Sequence, residues 1–282
     1  MRLPILYLGV FLVLLTCLFL RNSQAGSGTP ESHIRFFNDS AYDVFLVAGQ
    51  SNTYYGIGYN SILDKPATGI YQLGRIAPND MKIIEAKEPI QHFNPKSDRI
   101  GFALTFAKEY QKYFHDQRKI LIVPCGMDNT GFEGDGWNKG NFLYEDAIKR
   151  INYVMEHFNK SKLIAILWHQ GEKDIGYKQY QKSLDSLIVF FRKDIIGATG
   201  KTPFILGGMV PFWVKKNSLR QKQQKIIMDT KKRLPYIGYA DPYLPFKITK
   251  PDNTIDTVHY NAVGQREIGK RYFEAFKKFL KN

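Results

Sequence analysis

The chain has 282 residues, 44% of them hydrophobic, and carries a formal net charge of +14. A chain of this length and composition can bury one large core, and one domain is favoured over two. The charge accompanies no nucleic-acid-binding motif and no regular basic–aromatic spacing, so we expect no nucleic acid partner. A solvated cationic surface accounts for the charge, with weak attraction to anionic glycans as the alternative.

The N-terminal segment has the pattern of an export signal. Arg2 precedes an almost wholly apolar run over residues 3–20, and a small-x-small site ends at Ala25. This pattern is typical of a cleaved signal peptide over residues 1–25. The run is also just long enough to span a bilayer, so an uncleaved anchor is the alternative. We expect a secreted or periplasmic protein, with a membrane partner only if the segment stays uncleaved.

The number and spacing of the cysteines bear on disulfide bonding and on metal binding. Cleavage after Ala25 would remove Cys17 and leave Cys125 as the only cysteine. Such a chain forms no internal disulfide and depends on its core for stability. No Cys/His cluster has the spacing of metal ligands, so we expect no metal and no cofactor.

Short apolar runs alternate with helical patterns along the rest of the chain. Predicted strands cover residues 44–48, 119–124, 163–168, 203–208 and 236–240, and predicted helices cover residues 101–114, 142–158, 177–193, 215–233 and 262–280. This alternation predicts a doubly wound α/β fold, a three-layer sandwich around a central parallel sheet of about five strands. We expect a polar linker over residues 26–42 and a single domain over residues 43–282. Residues 53–98 lack a long period and predict extended loops along one wall of a cleft.

The first predicted strand runs directly into Gly49-Gln50-Ser51-Asn52. In a parallel sheet, ligands bind in the crevice outside the carboxyl ends of the strands. Ser51 therefore stands where a nucleophile would be placed. A serine after a strand also commonly caps the next turn, and that interpretation is favoured for Ser51 alone.

A candidate base and its acidic partner lie near the C-terminus, where Asp256 and His259 are three residues apart. A serine nucleophile needs a base to take its proton, and the base needs a carboxylate to fix its tautomer. An isolated pair of this kind more often belongs to a turn, but its combination with Ser51 favours catalysis. The chain has no Gly-x-Ser-x-Gly elbow at Ser51.

Two further strand ends offer hydrogen-bond donors for an oxyanion. Gly126 follows the second predicted strand and Gln170 follows the third. The backbone N–H groups of Ser51 and Gly126, with the side-chain amide of Gln170, are the expected oxyanion hole. An ordinary turn glycine and a loop-joining amide are the alternatives for Gly126 and Gln170. His169 is predicted to be a packed histidine and not a second base.

These motifs together resemble the SGNH hydrolase superfamily. The similarity is closest to the sialate O-acetylesterase and acetylxylan-esterase-like carbohydrate esterases and extends over about residues 43–280. It rests on Gly49-Gln50-Ser51-Asn52, Gly126, Trp168-His169-Gln170-Gly171-Glu172, Asp256-x-x-His259 and the segment from Tyr260 to Arg266. The loop from Met127 to Thr130 departs from the Ser- and Gly-rich form expected at that point.

The resemblance implies a role for each motif residue. Ser51 is the implied nucleophile, His259 the general base and Asp256 its orienting carboxylate. Ser51, Gly126 and Gln170 form the implied oxyanion hole, and the implied loop-bracing residues are Gln50, Asn52 and Glu172.

The resemblance also implies a function. The expected activity is that of an exported serine esterase that removes O-acetyl groups from sialate or xylan-type glycans through an acetyl-enzyme. Its expected partner is an acetylated carbohydrate. The alternatives are a lipase or thioesterase of the same fold, an O-acyltransferase, and a non-catalytic glycan-binding protein. The polar residues 53–98 argue mildly against a long acyl chain.

Overall fold

A computed structural model describes residues 41–115, 118–134, 136–251 and 254–281. The predicted signal peptide, and all but the last two residues of the predicted linker, lie outside the described residues. Tyr42, one of these two, is buried and packs edge-on against the rings of Tyr71 and Phe158. Within the described ranges, no helix is both long and apolar enough to cross a bilayer.

Short strands and longer helices alternate along the chain. The strands are β1 (Asp43–Gly49), β2 (Gly56–Ile57), β3 (Ile70–Leu73), β4 (Ile83–Glu85), β5 (Arg99–Ile100), β6 (Ile120–Gly126), β7 (Lys162–His169), β8 (Phe204–Gly207) and β9 (Ile237–Ala240). The helices are α1 (Ala103–Tyr113), α2 (Phe142–His157), α3 (Tyr180–Asp194), α4 (Pro211–Val214), α5 (Ser218–Arg233) and α6 (Ala262–Lys277). Short 3₁₀ turns cover Ser51–Thr53 and Lys278–Lys281.

In the described part of the chain, seven strands form the central sheet in the order β4-β3-β6-β1-β7-β8-β9. Neighbouring strands are parallel except for the β3–β4 pair. The five predicted strands lie side by side and, together with β3, form the continuous parallel part of the sheet. Most of their apolar side chains are buried because helices cover both faces. The α/β class and the parallel sheet are thus confirmed.

The structure corrects the prediction for residues 53–98, which contain the two-residue strand β2 and the strands β3 and β4 in addition to loops. Of these, β3 and β4 belong to the central sheet. These two strands extend the sheet at one edge, with β3 paired to β6. Both strands are short and lie among Gly, Asn and Pro residues, which are typical of loops, so the sequence did not indicate them.

Helices pack on both faces of the sheet. On one face, the ring of Phe45 contacts Phe106 of α1 and Phe276 of α6 edge-on. On the other face, Phe191 of α3 packs against Phe204 of β8. The register of the strands places these two contacts on opposite faces. Phe45 pairs with Ala165 of β7, and Phe204 pairs with Ile166, the next residue of β7. Successive side chains of a strand point to opposite faces of the sheet.

The carboxyl ends of three adjacent strands meet in register. Gly49 of β1 pairs with Gly126 of β6 on one side and with His169 of β7 on the other. Gly49 has a φ of +128°, and a Cβ there would lie 2.1 Å from the carbonyl oxygen of His169. Only glycine therefore fits this turn, which places Ser51 just beyond the carboxyl ends of the central strands.

Candidate active site

The nucleophile and base candidates meet across more than 200 residues of sequence. Ser51 lies in the 3₁₀ turn after β1, and Asp256 and His259 lie in the loop before α6. The Ser51 Oγ is 2.8 Å from the His259 Nε2, and the His259 Nδ1 is 2.9 Å from the Asp256 Oδ2. The three side chains form a continuous hydrogen-bonded chain with the geometry of a Ser-His-Asp triad.

The protonation states suit this arrangement. Burial lowers the pKa of His259, and it outweighs the hydrogen bond and charge of Asp256, which favour the protonated ring. Burial alone would raise the pKa of Asp256, but the hydrogen bond from His259 and other donors hold it below the ordinary value. At neutral pH the imidazole is therefore neutral and the carboxylate is ionised, as a base and its orienting partner require.

Asn52 joins two segments of the site. One is the 3₁₀ turn Ser51–Thr53, called the nucleophile turn, and the other is the loop before α6 that carries Asp256 and His259, called the base loop. The Asn52 Nδ2 donates to the Glu172 Oε1 at 2.6 Å and to the main-chain oxygen of Val258 at 3.1 Å. Its Oδ1 accepts the backbone N–H of Tyr260 at 3.0 Å. Because Asn52 is fully buried, these bonds fix the distance between Ser51 and the base loop.

Gln50 and Glu172 complete this bracing. The Gln50 Oε1 accepts the backbone N–H groups of Gly171 at 3.4 Å and Lys173 at 3.1 Å, which ties the nucleophile turn to the loop after β7. Burial raises the pKa of Glu172 to about 7, against the opposing hydrogen bond from Asn52. The structure thus brings all three predicted loop-bracing residues into one interlocked set.

A cavity of about 320 Å³ opens over the triad. Most of its lining side chains are polar or charged, and only Val258 and the ring of Tyr55 offer extended apolar surface. The lining residues are Gln50, Ser51, Tyr55, Asp128, Asn129, Glu172, Lys173, Val258 and His259. The cavity therefore suits a small acyl group on a polar carrier better than a long hydrocarbon chain.

Two of the three predicted oxyanion donors do not line this cavity. The Gly126 N–H donates to the Nδ1 of His92 at 2.8 Å. The Gln170 Nε2 donates to the Asp174 Oδ2 at 2.7 Å and to the main-chain oxygen of Thr130 at 3.4 Å. Only Ser51 of the predicted set lies in the cavity, since the structure gives the other two donors partners behind it.

Asn129 is a cavity residue that the sequence motifs do not identify. It has a φ of +56°, in the left-handed region that asparagine tolerates better than most residues. Within the described residues, its backbone N–H has no protein acceptor, and the same is true of the Ser51 N–H. The departure of this loop from a Gly-rich form was the available signal, because asparagine can replace glycine at a left-handed position.

Hydrogen bonds with Tyr54 and Asn94 hold the loop that carries Asn129. The Asp128 N–H donates to the hydroxyl oxygen of Tyr54 at 3.1 Å. The Asp128 Oδ1 in turn accepts the Tyr54 hydroxyl and the side-chain amide of Asn94, each at 2.9 Å. Tyr54 stacks on His92, the partner of the Gly126 N–H. The loop therefore has a fixed conformation beside Ser51.

His169 lies beneath the site and does not line the cavity. It is fully buried, and its Nδ1 is 3.1 Å from the hydroxyl oxygen of Tyr272. Burial lowers its pKa to about 3. This environment agrees with the interpretation of His169 as a packed histidine.

Comparison with known proteins assigns the family. Residues 41–278 match the family described as "Carbohydrate esterase, sialic acid-specific acetylesterase". This match spans most of the chain, which therefore belongs to this family of carbohydrate esterases. The resemblance noted in the motifs and the predicted enzyme class, a carbohydrate O-acetylesterase, are confirmed. No curated protein matches the sequence significantly.

Solved structures share the fold. NanS superposes with a TM-score of 0.73 at 19% identity, covering 87% of this chain and 99% of NanS. A protein from Arabidopsis thaliana gives a TM-score of 0.69 at 21% identity, covering 85% of this chain and 99% of its own. A carbohydrate acetylesterase from Xanthomonas citri gives 0.59 at 16% identity, covering 84% of this chain and 56% of that protein. At these identities the similarity shows the fold.

Proposed function

We propose that the protein hydrolyses O-acetyl esters of a carbohydrate through an acetyl-enzyme formed on Ser51. The observation that carries this proposal is the hydrogen-bonded chain from Ser51 through His259 to Asp256, with distances of 2.8 Å and 2.9 Å. Ser51 and His259 line a cavity whose residues are mostly polar or charged. A neutral imidazole in contact with a serine hydroxyl is the arrangement that activates a serine nucleophile.

The reaction proceeds in two balanced halves. The Ser51 Oγ attacks the acetyl carbonyl carbon while the His259 Nε2 takes its proton. The tetrahedral intermediate then breaks its bond to the sugar oxygen, which receives that proton from His259. Water attacks the acetyl-enzyme with the same base, and acetate leaves as Ser51 regains its proton. Asp256 stays ionised throughout and stabilises the imidazolium.

The oxyanion is assigned to the backbone N–H groups of Ser51 and Asn129. Both residues line the cavity, and neither N–H has an acceptor in the described part of the chain. Gly126 and Gln170, the donors expected from the sequence, support the loop from behind in this assignment, because Gln170 holds Thr130, the neighbour of Asn129. Two aligned donors stabilise charge that develops only in the transition state.

The substrate is assigned to acetylated glycans of the sialate or xylan type. The family description supports a sugar carrier, and the polar cavity supports a short acyl group. The pattern of residues 1–25 supports export to a secreted or periplasmic location, with membrane anchorage as the alternative. Such a location suits an enzyme that acts on surface or extracellular glycans.

Acetate release from a substrate panel tests the proposal. The panel contains a small aryl acetate, a long-chain aryl ester, acetylated xylan and O-acetylated sialic acid. We expect release from the aryl acetate and at least one glycan, and a loss of about 10⁴-fold or more in Ser51→Ala because the nucleophile is removed. Ser218→Ala, at an exposed position that begins α5, is the matched control and should keep full activity.

Other outcomes would redirect the assignment. Full activity of Ser51→Ala would eliminate Ser51 as the nucleophile. Release only from the long-chain ester would indicate a lipase or thioesterase. Consumption of acetyl donor without free acetate would indicate acyl transfer, and glycan binding without turnover would indicate a binding protein.

A further inference from the structure

A lysine whose side chain is mostly covered lies next to the loop that carries His259. The side chain of Lys250 is only 7% exposed, and lysine is rarely buried without a partner. Its Nζ donates to the main-chain oxygen of His259 and lies 3.8 Å from the Asp256 Oδ1. Lys250 is not among the residues that line the cavity over the triad.

These contacts complete a closed set of bonds around the base loop. The Asp256 Oδ1 accepts the backbone N–H groups of Val258 at 3.2 Å and His259 at 3.1 Å, while its Oδ2 accepts the His259 ring. The carboxylate therefore holds the loop from within. Lys250 holds the same loop by donating a hydrogen bond to the main-chain carbonyl oxygen of His259.

We propose that Lys250 is a positioning residue, whose ammonium group clamps the base loop and offsets part of the negative charge of Asp256. This inference rests on the proposed function, in which His259 is the base. The clamp keeps the imidazole within reach of Ser51. The charge opposes protonation of the imidazole, because a cation near the carboxylate weakens its attraction for a second positive charge.

Charged groups near His259 act on its pKa in opposite directions. Asp256 is the neighbouring carboxylate, and Lys250 is the cation behind it. Arg99 is a second cation, with its guanidinium 3.5 Å from the centroid of the Tyr55 ring, which itself lies 4.5 Å from the imidazole centroid. Both cations lower the pKa of His259, and Asp256 raises it. On the far side of Lys250, Lys215 and Lys247 line a small cavity of about 130 Å³ with it.

The sign of the expected effect follows from this arrangement. Removing the charge of Lys250 leaves Asp256 free to stabilise the imidazolium, so the pKa of His259 rises. The protonated ring cannot accept the Ser51 proton, so activity begins to fall at a higher pH than in the wild type. A loss of packing alone would lower the rate without moving this pH dependence.

Three substitutions separate clamp from charge in the full-length protein. Lys250→Met removes both, Lys250→Gln removes the charge but keeps a donor for the His259 carbonyl group, and Lys250→Arg keeps both. Lys247→Met, at an exposed lysine of the same segment, is the matched control. The measurements are kcat and kcat/KM for a small aryl acetate against pH, and an NMR titration of the His259 ring, identified by its loss in His259→Asn.

For Lys250→Met, we expect kcat to fall about 10- to 100-fold, because a small displacement of the base is costly. The acid limb of kcat/KM and the His259 titration should both move to higher pH. Lys250→Gln should show the same pH movement with a smaller loss of kcat. Lys250→Arg and Lys247→Met should titrate like the wild type.

An unchanged His259 titration in both neutral variants would overturn the charge role, and equal kcat for Met, Gln and wild type at high pH would overturn the clamp. If circular dichroism shows that Lys250→Met does not fold, the Gln and Arg variants decide the question by their titrations. The titration needs no turnover. Failure of the proposed function, seen as activity retained in Ser51→Ala, is therefore distinguishable from failure of the Lys250 proposal.

Discussion

The proposed base side and the proposed oxyanion side of the cavity are built in different ways. On the base side, side chains from distant segments meet directly, as in the hydrogen bonds from Ser51 to His259 and from His259 to Asp256. On the proposed oxyanion side, Ser51 and Asn129 line the cavity, and their backbone N–H groups have no acceptor in the described part of the chain. Side chains such as Gln170 act there only from behind, through the main chain.

This difference sets what each side requires of the sequence. A base must be a titratable side chain, so residue type alone restricts the candidates to very few. A backbone donor can be supplied by any residue except proline, and what matters is the conformation that aims it. Substitutions should therefore act through chemistry on the base side and through backbone geometry on the oxyanion side.

The largest effect expected from this comparison is that of Asp256→Asn on the base side. An amide of the same shape keeps an oxygen for the backbone donors but does not stabilise the imidazolium. We expect kcat to fall roughly 10²–10⁴-fold, with the melting temperature almost unchanged. A loss below tenfold, measured by steady-state acetate release, would show that the base works without its carboxylate and would break the comparison.

An intermediate effect is expected for Asn52→Ala, which uncouples the two sides. The substitution removes the Asn52 donor from the Glu172 Oε1 and leaves the Tyr260 N–H without its acceptor in a buried region. Each unsatisfied group costs about 1–3 kcal/mol, so the free energy of unfolding should fall by a comparable amount. We expect kcat to fall about 10- to 100-fold as the base loop loosens.

Denaturant unfolding and steady-state kinetics measure both effects of Asn52→Ala. Asn159→Ala, at an exposed asparagine after α2, is the control and should change neither. If the stability falls while kcat stays at the wild-type value, the bracing serves the fold alone and the base loop keeps its position by other contacts.

Much of the fold was predictable because most of its parallel strands are apolar runs that alternate with helical patterns along the chain. β1, β6 and β7 have seven or eight residues, most of them buried and apolar, and each strand ends in a motif residue. β3 and β4 were not predictable, since their three or four residues fall among Gly, Asn and Pro. Their position at the edge is fixed by pairing with β6, which is a tertiary property.

Some features of the site were also predictable from the sequence and others were not. Ser51, Asp256 and His259 were identified by residue type and order, and the structure brings them together, while their catalytic roles stay predictions. The sequence pointed to Gly126 and Gln170 as donors because both follow strands. It could not show that His92 accepts the Gly126 N–H, because that bond depends on a loop passing beneath the site.

The smallest effect tests the oxyanion side, where the backbone of Asn129 is substituted in two ways. Asn129→Gly accepts the φ of +56° freely and should keep kcat within about threefold of the wild type. Asn129→Val disfavours this conformation by roughly 1–2 kcal/mol and tilts the N–H, so kcat should fall about tenfold while KM changes little. Equal activity of both variants in acetate release would remove Asn129 as a donor, and Gly126 and Gln170 would then return as candidates. A loss only in the valine variant would show that this side of the cavity depends on backbone geometry and not on the asparagine side chain.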